Sequence, residues 1–175
     1  MDIGGGSLEL IRFSKDSIEK VCSLQLGAVR LTEKFVSDRT LAISPEIEAR
    51  IHDHVLQSIE TSGFQFEPIT DPMVVTGGAF SVIRSILAEQ SAESLEMSRE
   101  TSSVIDRNDI TELKKTLCGL SMEERKTLPG LPLERADVMP TALVTIDTVL
   151  KLAGRGTVTQ SSYNLRYGIA AELLA

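Results

Sequence analysis

The chain has 175 residues, 42% of them hydrophobic, 25% charged and only 4% aromatic, and its formal net charge at pH 7 is -7. That length and composition predict one domain around an aliphatic core, and they exclude a broad nucleic-acid or anionic-membrane surface, which needs dense Lys and Arg, as well as serial base stacking, which needs aromatics. No apolar run approaches the roughly 20 residues that cross a bilayer, no signal-peptide pattern opens the chain, and Cys22 and Cys118 lack disulfide or zinc spacing, so a cytoplasmic protein with reduced thiols is expected.

In chain order, Asp2-Ile3 runs at once into Gly4-Gly5-Gly6-Ser7. A strand and turn with no lead-in read as a cut inside a longer protein, because terminal residues fray unless tied down. Ser7 to Phe13 is predicted as a strand entering a hairpin, with Ile18 to Leu26 as its return. Gly27 punctuates, and Ala28 to Val36 is a short helix. Ser44 is an N-cap, Pro45 the first helical position, and Ile47, Ile51, Val55 and Ile59 recur every four residues until Gly63 stops the helix. Pro72 to Val75 is a buried strand leading into Thr76-Gly77-Gly78 and then a helix over Ala79 to Glu89. Gln90 to Arg107 is polar connecting structure with one strand near Ser103 to Ile105. Helices follow from Asp109 to Leu117 and from Ser121, and Leu133 to Leu152 reads as a long apolar helix that Pro140 splits or kinks. Thr157 to Thr159 is a short strand, and Leu165 to Leu174 closes the chain as a helix.

Two glycine turns could carry chemistry. Gly4, Gly5 and Gly6 permit positive φ and can turn several amides toward one concavity, a nest for phosphate oxygens to which Ser7 adds a hydroxyl. Asp2, at the strand end, could hold Mg²⁺ or its waters beside that phosphate. A glycine run between strands is equally a plain tight turn, and no Gly-Lys-Ser/Thr follows to make it a Walker loop. Thr76, Gly77 and Gly78 lie where a strand meets a helix N-terminus, which favours anions, although this too is an ordinary strand–helix turn when taken alone. His52 and His54 are two apart on a helix and point to different faces, against joint metal binding. Arg135 and Asp137 could pair at the start of the long helix, and Lys114-Lys115 and Arg125-Lys126 are small basic clusters that read as solvated helix faces.

Five blocks in order resemble the exopolyphosphatase and guanosine-pentaphosphate phosphohydrolase family (Ppx/GppA), within the superfamily of actin and sugar kinases. They are Asp2 to Ser7 with Glu9; Leu26-Gly27-Ala28-Val29-Arg30-Leu31 with Phe35; Val74 to Gly78; Leu128-Pro129-Gly130-Leu131 with Arg135-Ala136-Asp137; and Ser161 to Gly168. The resemblance implies an α/β, ribonuclease-H-like fold with a mixed sheet, an antiparallel hairpin and flanking helices. It also implies that residues 1–175 are a single domain, the second actin-like domain of a two-domain enzyme. The first domain, with one phosphate loop and the general-base glutamate, would then lie outside this sequence.

Carried over residue by residue, Asp2 orients Mg²⁺ or water, Gly4, Gly5, Gly6 and Ser7 hold a substrate phosphate, and Thr76, Gly77 and Gly78 form the second phosphate or nucleotide turn. The expected reaction is Mg²⁺-dependent release of terminal phosphate from polyphosphate or guanosine pentaphosphate, with a lone half-cleft close to inactive. The chain departs from the family at Ala79, where Thr is common, near Ala142 and at Asn164, where Gly is common, and at Tyr167, where Glu is common, while Pro140 is an unusual neighbour to Arg135-Ala136-Asp137. Two other classes stay open: a nucleotide- or alarmone-sensing module without turnover, and an ATPase or kinase of the wider superfamily. The cleft face, which would meet the first domain, is also a candidate homodimer contact.

Overall fold

The computed structural model describes residues 1–14, 17–66, 73–90 and 102–174. Strand β1 (Asp2–Ile3) turns through the glycines into β2 (Leu8–Ser14), which pairs antiparallel with β3 (Ser17–Leu24). Alternation sets the faces: Leu8 and Leu10 point into the core, while Ile11 and Phe13 face outward opposite Val21 and Ile18. Helices α1 (Ala28–Phe35) and α2 (Pro45–Ser62) follow. The α2 ends are as the sequence predicts: the Ser44 hydroxyl accepts from the Ile47 amide at 3.4 Å, Pro45 opens the first turn, and Gly63 closes it in the left-handed region at φ 65°.

Strand β4 (Val74–Val75) leads into α3 (Gly78–Gln90). Then come β5 (Ser102–Asp106), α4 (Arg107–Gly119), capped by the Asp106 carboxylate accepting from the Asn108 amide at 2.7 Å, and α5 (Met122–Lys126), opened by a reciprocal Ser121–Glu124 capping box. A 3₁₀ turn (Leu133–Arg135), α6 (Met139–Leu152), β6 (Thr157–Ser161) and α7 (Leu165–Leu174) complete the chain. The helix predicted from Leu133 is corrected: α6 begins at Met139, because Pro140 fits the first turn, where its missing N–H costs nothing. The strand near Ser103 is present as β5, and the Pro72 start of the preceding strand lies outside the described residues, as does residues 91–101 of the connecting segment.

Strand β6 is central to its ladder, parallel to β4 and antiparallel to β5. A parallel bridge between Asp2 and Thr76 joins the two ladders, supported by the Thr76 amide donating to the Met1 carbonyl at 2.9 Å, so the strand order is β3-β2-β1-β4-β6-β5. Strands β1, β4 and β6 are therefore mutually parallel and end on one edge of the sheet. Helix α6 is buried along almost its whole length and packs against α1, α2 and α4, so the core is aliphatic, as the scarcity of aromatics requires. Arg125 is also buried, only 1% exposed; its guanidinium donates to the Leu117 carbonyl at 2.9 Å and the Leu41 carbonyl at 3.2 Å, so the expected solvated basic face does not include it.

Candidate functional site

Ligands of open α/β sheets bind outside the carboxyl ends of parallel strands, and on this edge β1 delivers Gly4–Ser7 while β4 delivers Thr76–Gly78. The first turn is held from below by α1. The Ala28 amide donates to the Gly4 carbonyl at 2.9 Å, the Arg30 amide to the Gly5 carbonyl at 3.1 Å, and the Arg30 guanidinium to the Gly6 carbonyl at 3.1 Å. With the carbonyls fastened on one side, the Gly5, Gly6 and Ser7 amides donate to no group among the described residues. That polarity suits an anion, but the reason for glycine is different from the one expected. None of Gly4, Gly5 or Gly6 has positive φ. Instead a Cβ on Gly27 would sit 2.4 Å from the Gly5 carbonyl and the Gly6 carbon, and one on Gly5 would sit 3.2 Å from Val29. Close approach of α1 demands glycine at Gly27 and crowds Gly5, whereas Gly4 and Gly6 have room for a methyl.

The second turn does need left-handed backbone. Gly77 has φ 104°, and a Cβ there would lie 2.4 Å from Asp2 Oδ1 and 2.7 Å from the Ile3 carbonyl. The Asp2 carboxylate thus lies directly against Gly77. Helix α3 starts at Gly78, and its first-turn amides carry the partial positive charge of a helix N-terminus. Arg135 stands over the same point, its guanidinium 3.4 Å from where a Gly78 Cβ would be. The Leu-Pro-Gly-Leu segment sets it there: Gly130, at φ 80°, packs so closely on α3 that a Cβ would meet the Ser85 carbonyl at 2.6 Å. The expected Arg135–Asp137 pair does not form. Asp137 pairs with Arg39 at 2.9 Å, and Arg135, exposed, pairs with no carboxylate among the described residues.

Asp2 stands opposite Glu9 across the β1–β2 pair, and Glu9 accepts from the Ser23 hydroxyl at 2.8 Å. Burial, and next the Glu9 charge, hold the Asp2 carboxyl above the ordinary carboxylate range, while the N-terminal ammonium pulls the other way. Two facing carboxylates of this kind fit Mg²⁺, which takes one or two carboxylates and completes its shell with water and phosphate oxygens. No group of three or more His, Cys, Asp or Glu among the described residues forms an all-protein cage. The two histidines have separate partners, His52 with Asp53 at 3.2 Å and His54 with Lys34 at 3.1 Å beside the Phe35 ring. The Cys118 thiol is pushed up to about 12 by burial, which makes it a poor nucleophile, and Cys22 is also a free thiol.

The profile of the Ppx/GppA phosphatase family matches residues 1–175, the whole chain. This chain belongs to the Ppx/GppA phosphatase family. Family members of known structure share the fold. An exopolyphosphatase from Cytophaga hutchinsonii superposes with a TM-score of 0.82 at 26% identity, covering 99% of this chain and 55% of that one. The Aquifex aeolicus Ppx/GppA phosphatase gives 0.84 at 21% identity, covering 99% and 56%. Among curated relatives, the chain is 26% identical over 181 residues to a guanosine-5'-triphosphate,3'-diphosphate pyrophosphatase of Vibrio vulnificus, covering all of this chain and 33% of that protein. It is 26% identical over 175 residues to a bifunctional 3-dehydroquinate synthase/phosphatase of Fusobacterium nucleatum, covering 98% and 25%. The chain therefore spans a quarter to a third of those curated relatives and little more than half of the solved ones.

Reading the sequence placed Asp2, Gly4, Gly5, Gly6, Ser7, Thr76, Gly77 and Gly78, and the structure brings all of them to one sheet edge. It adds Arg135, Glu9 and Gly27. Glu9 could have been found from its cross-strand position, once the two-residue strand and four-residue turn fixed the register. Arg135 had no local signal beyond its block.

Proposed function

We propose that this chain is the phosphate-gripping second domain of a two-domain phosphohydrolase that releases terminal phosphate from inorganic polyphosphate or guanosine pentaphosphate. One observation carries the reading: unspent amides of Gly5, Gly6 and Ser7, the α3 N-terminus at Gly78, the Arg135 guanidinium and the Asp2–Glu9 carboxylates all meet at the carboxyl edge of β1 and β4. Backbone amides are fixed donors for phosphate oxygens that need no rearrangement as charge builds on the leaving phosphate, and the guanidinium adds a charged donor. When bound, Mg²⁺ would neutralise phosphate charge, with Asp2 and Glu9 as its holders on this chain. Neither carboxylate is then free to deprotonate the attacking water. The general base belongs, on this reading, to the facing first domain, and Gly4–Ser7 and Thr76–Gly78 orient the anhydride toward it.

The test is Mg²⁺-dependent phosphate release from polyphosphate and from guanosine pentaphosphate, by this chain and by its two-domain parent. Release by the parent alone is expected. Equal turnover by the 175-residue chain would sink the two-domain reading and return the base to Asp2 or Glu9. An intact parent that binds ligand but releases nothing would move the function to a sensing module.

A further inference from the structure

The third parallel strand ends differently from the other two. Val75 pairs with Gln160, so Ser161 stands level with Thr76, and Ser162-Tyr163 continues past the sheet edge beside the Thr76–Gly78 turn. Adjacent strands lie about 5 Å apart, which makes this loop the immediate neighbour of the second glycine turn. Tyr163 and Tyr167 are the only tyrosines in a chain without tryptophan. They stand together at this place, 58% and 56% exposed, with ring centroids 5.2 Å apart and planes at 89°. The support is built: the Tyr163 amide donates to the Ser161 hydroxyl at 3.1 Å, that hydroxyl donates to the Tyr163 carbonyl at 3.4 Å, and the Tyr167 amide donates to the Asn164 carbonyl at 3.0 Å.

An exposed aromatic pair is costly to leave in water, and it offers flat π-faces where phosphate donors are one strand away. We infer that Tyr163 and Tyr167 form a base-stacking subsite for a nucleoside polyphosphate whose phosphates lie in the Thr76–Gly78 and Gly4–Ser7 turns. This rests on the phosphate site proposed above and narrows its substrate class. Inorganic polyphosphate has no ring to stack, and a long polyanion gains little from a chain of net charge -7. Composition excludes serial stacking along a nucleic acid; one base needs only the aromatics found here.

Two tyrosines give two sets of ring signals, so nuclear magnetic resonance of the chain labelled at both tyrosine and glycine reads the subsite and the phosphate turns together. GTP and inorganic tripolyphosphate, each with Mg²⁺, should both shift the Gly5, Gly6 and Gly77 amides, and GTP alone should shift the rings. Tyr163→Leu and Tyr167→Leu, at exposed positions, should keep the fold and the tripolyphosphate affinity and should weaken GTP about tenfold. Glycine amides that respond to both ligands while the rings stay still would overturn the stacking subsite and leave the phosphate site standing. Glycine amides that respond to neither would overturn the phosphate site, and the subsite with it.

Discussion

The two glycine turns look alike in sequence and differ in what makes them glycine. Thr76–Gly78 is a conformational device: Gly77 sits at φ 104° with the Asp2 carboxylate and the Ile3 carbonyl where a side chain would be. Gly4–Ser7 is a packing device: its glycines have ordinary φ, and α1 approaches so closely through Gly27 that any Cβ at that position would overlap the turn's backbone. A glycine run therefore does not by itself report left-handed backbone. Where glycine is required, as at Gly77 and Gly27, only tertiary structure says whether the demand comes from the chain's own dihedrals or from a neighbour, and at Gly4 and Gly6 neither applies.

The comparison breaks most visibly at Gly77 and Gly27. Gly77→Ala should cost about 3 kcal/mol in urea unfolding from strain and overlap with Asp2, and Gly27→Ala a similar amount from overlap with rigid backbone. Gly6→Ala, with nothing within 4 Å of the added methyl, should stay within about 0.5 kcal/mol. If Gly6→Ala proved as costly as Gly77→Ala, the distinction between the two turns would be wrong.

The remaining predictions sharpen what each turn holds. Arg135→Gln should weaken tripolyphosphate binding about tenfold in calorimetry, the loss of one charged donor, while leaving the melting temperature unchanged because the side chain is exposed and has no carboxylate partner among the described residues. Arg30→Met should destabilise by about 1 kcal/mol through loss of the bond to the Gly6 carbonyl, and loosen the first turn without touching the second. The smallest effect concerns pH. The folded Asp2 carboxyl lies above its ordinary value of 3.8, so the folded state favours its proton; that contribution is complete below 3.8 and lost as pH rises through the folded value. Asp2→Asn should therefore gain stability relative to the native chain from pH 4 upward, and parallel melting profiles across that window would contradict the shift.

Much of the site was legible because its parts are local. Asp2-Ile3-Gly4-Gly5-Gly6-Ser7 and Val74-Val75-Thr76-Gly77-Gly78 are strand ends followed by turns, and neighbouring residues set both. The helix limits at Ser44, Gly63 and Ser121 were legible for the same reason, since a cap acts within one turn. The 3₁₀ break before α6 was less so: apolar spacing from Leu133 to Leu152 suggested one helix, and Pro140 admits either a kink or a start.

What the sequence determined by itself was thus the chemistry available at each strand end, and with it the family. Tertiary structure alone decided the pairings that join distant segments. Arg39 and Asp137, 98 residues apart, pair and so release Arg135 toward Gly78; Arg125 buries its charge against the Leu41 carbonyl, 84 residues away. Asp2 comes to lie on Gly77 only through the parallel bridge that joins the ladders. Caps and turns are governed by bonds a few residues long, whereas these contacts depend on which faces the whole core leaves together, and no local pattern encodes that.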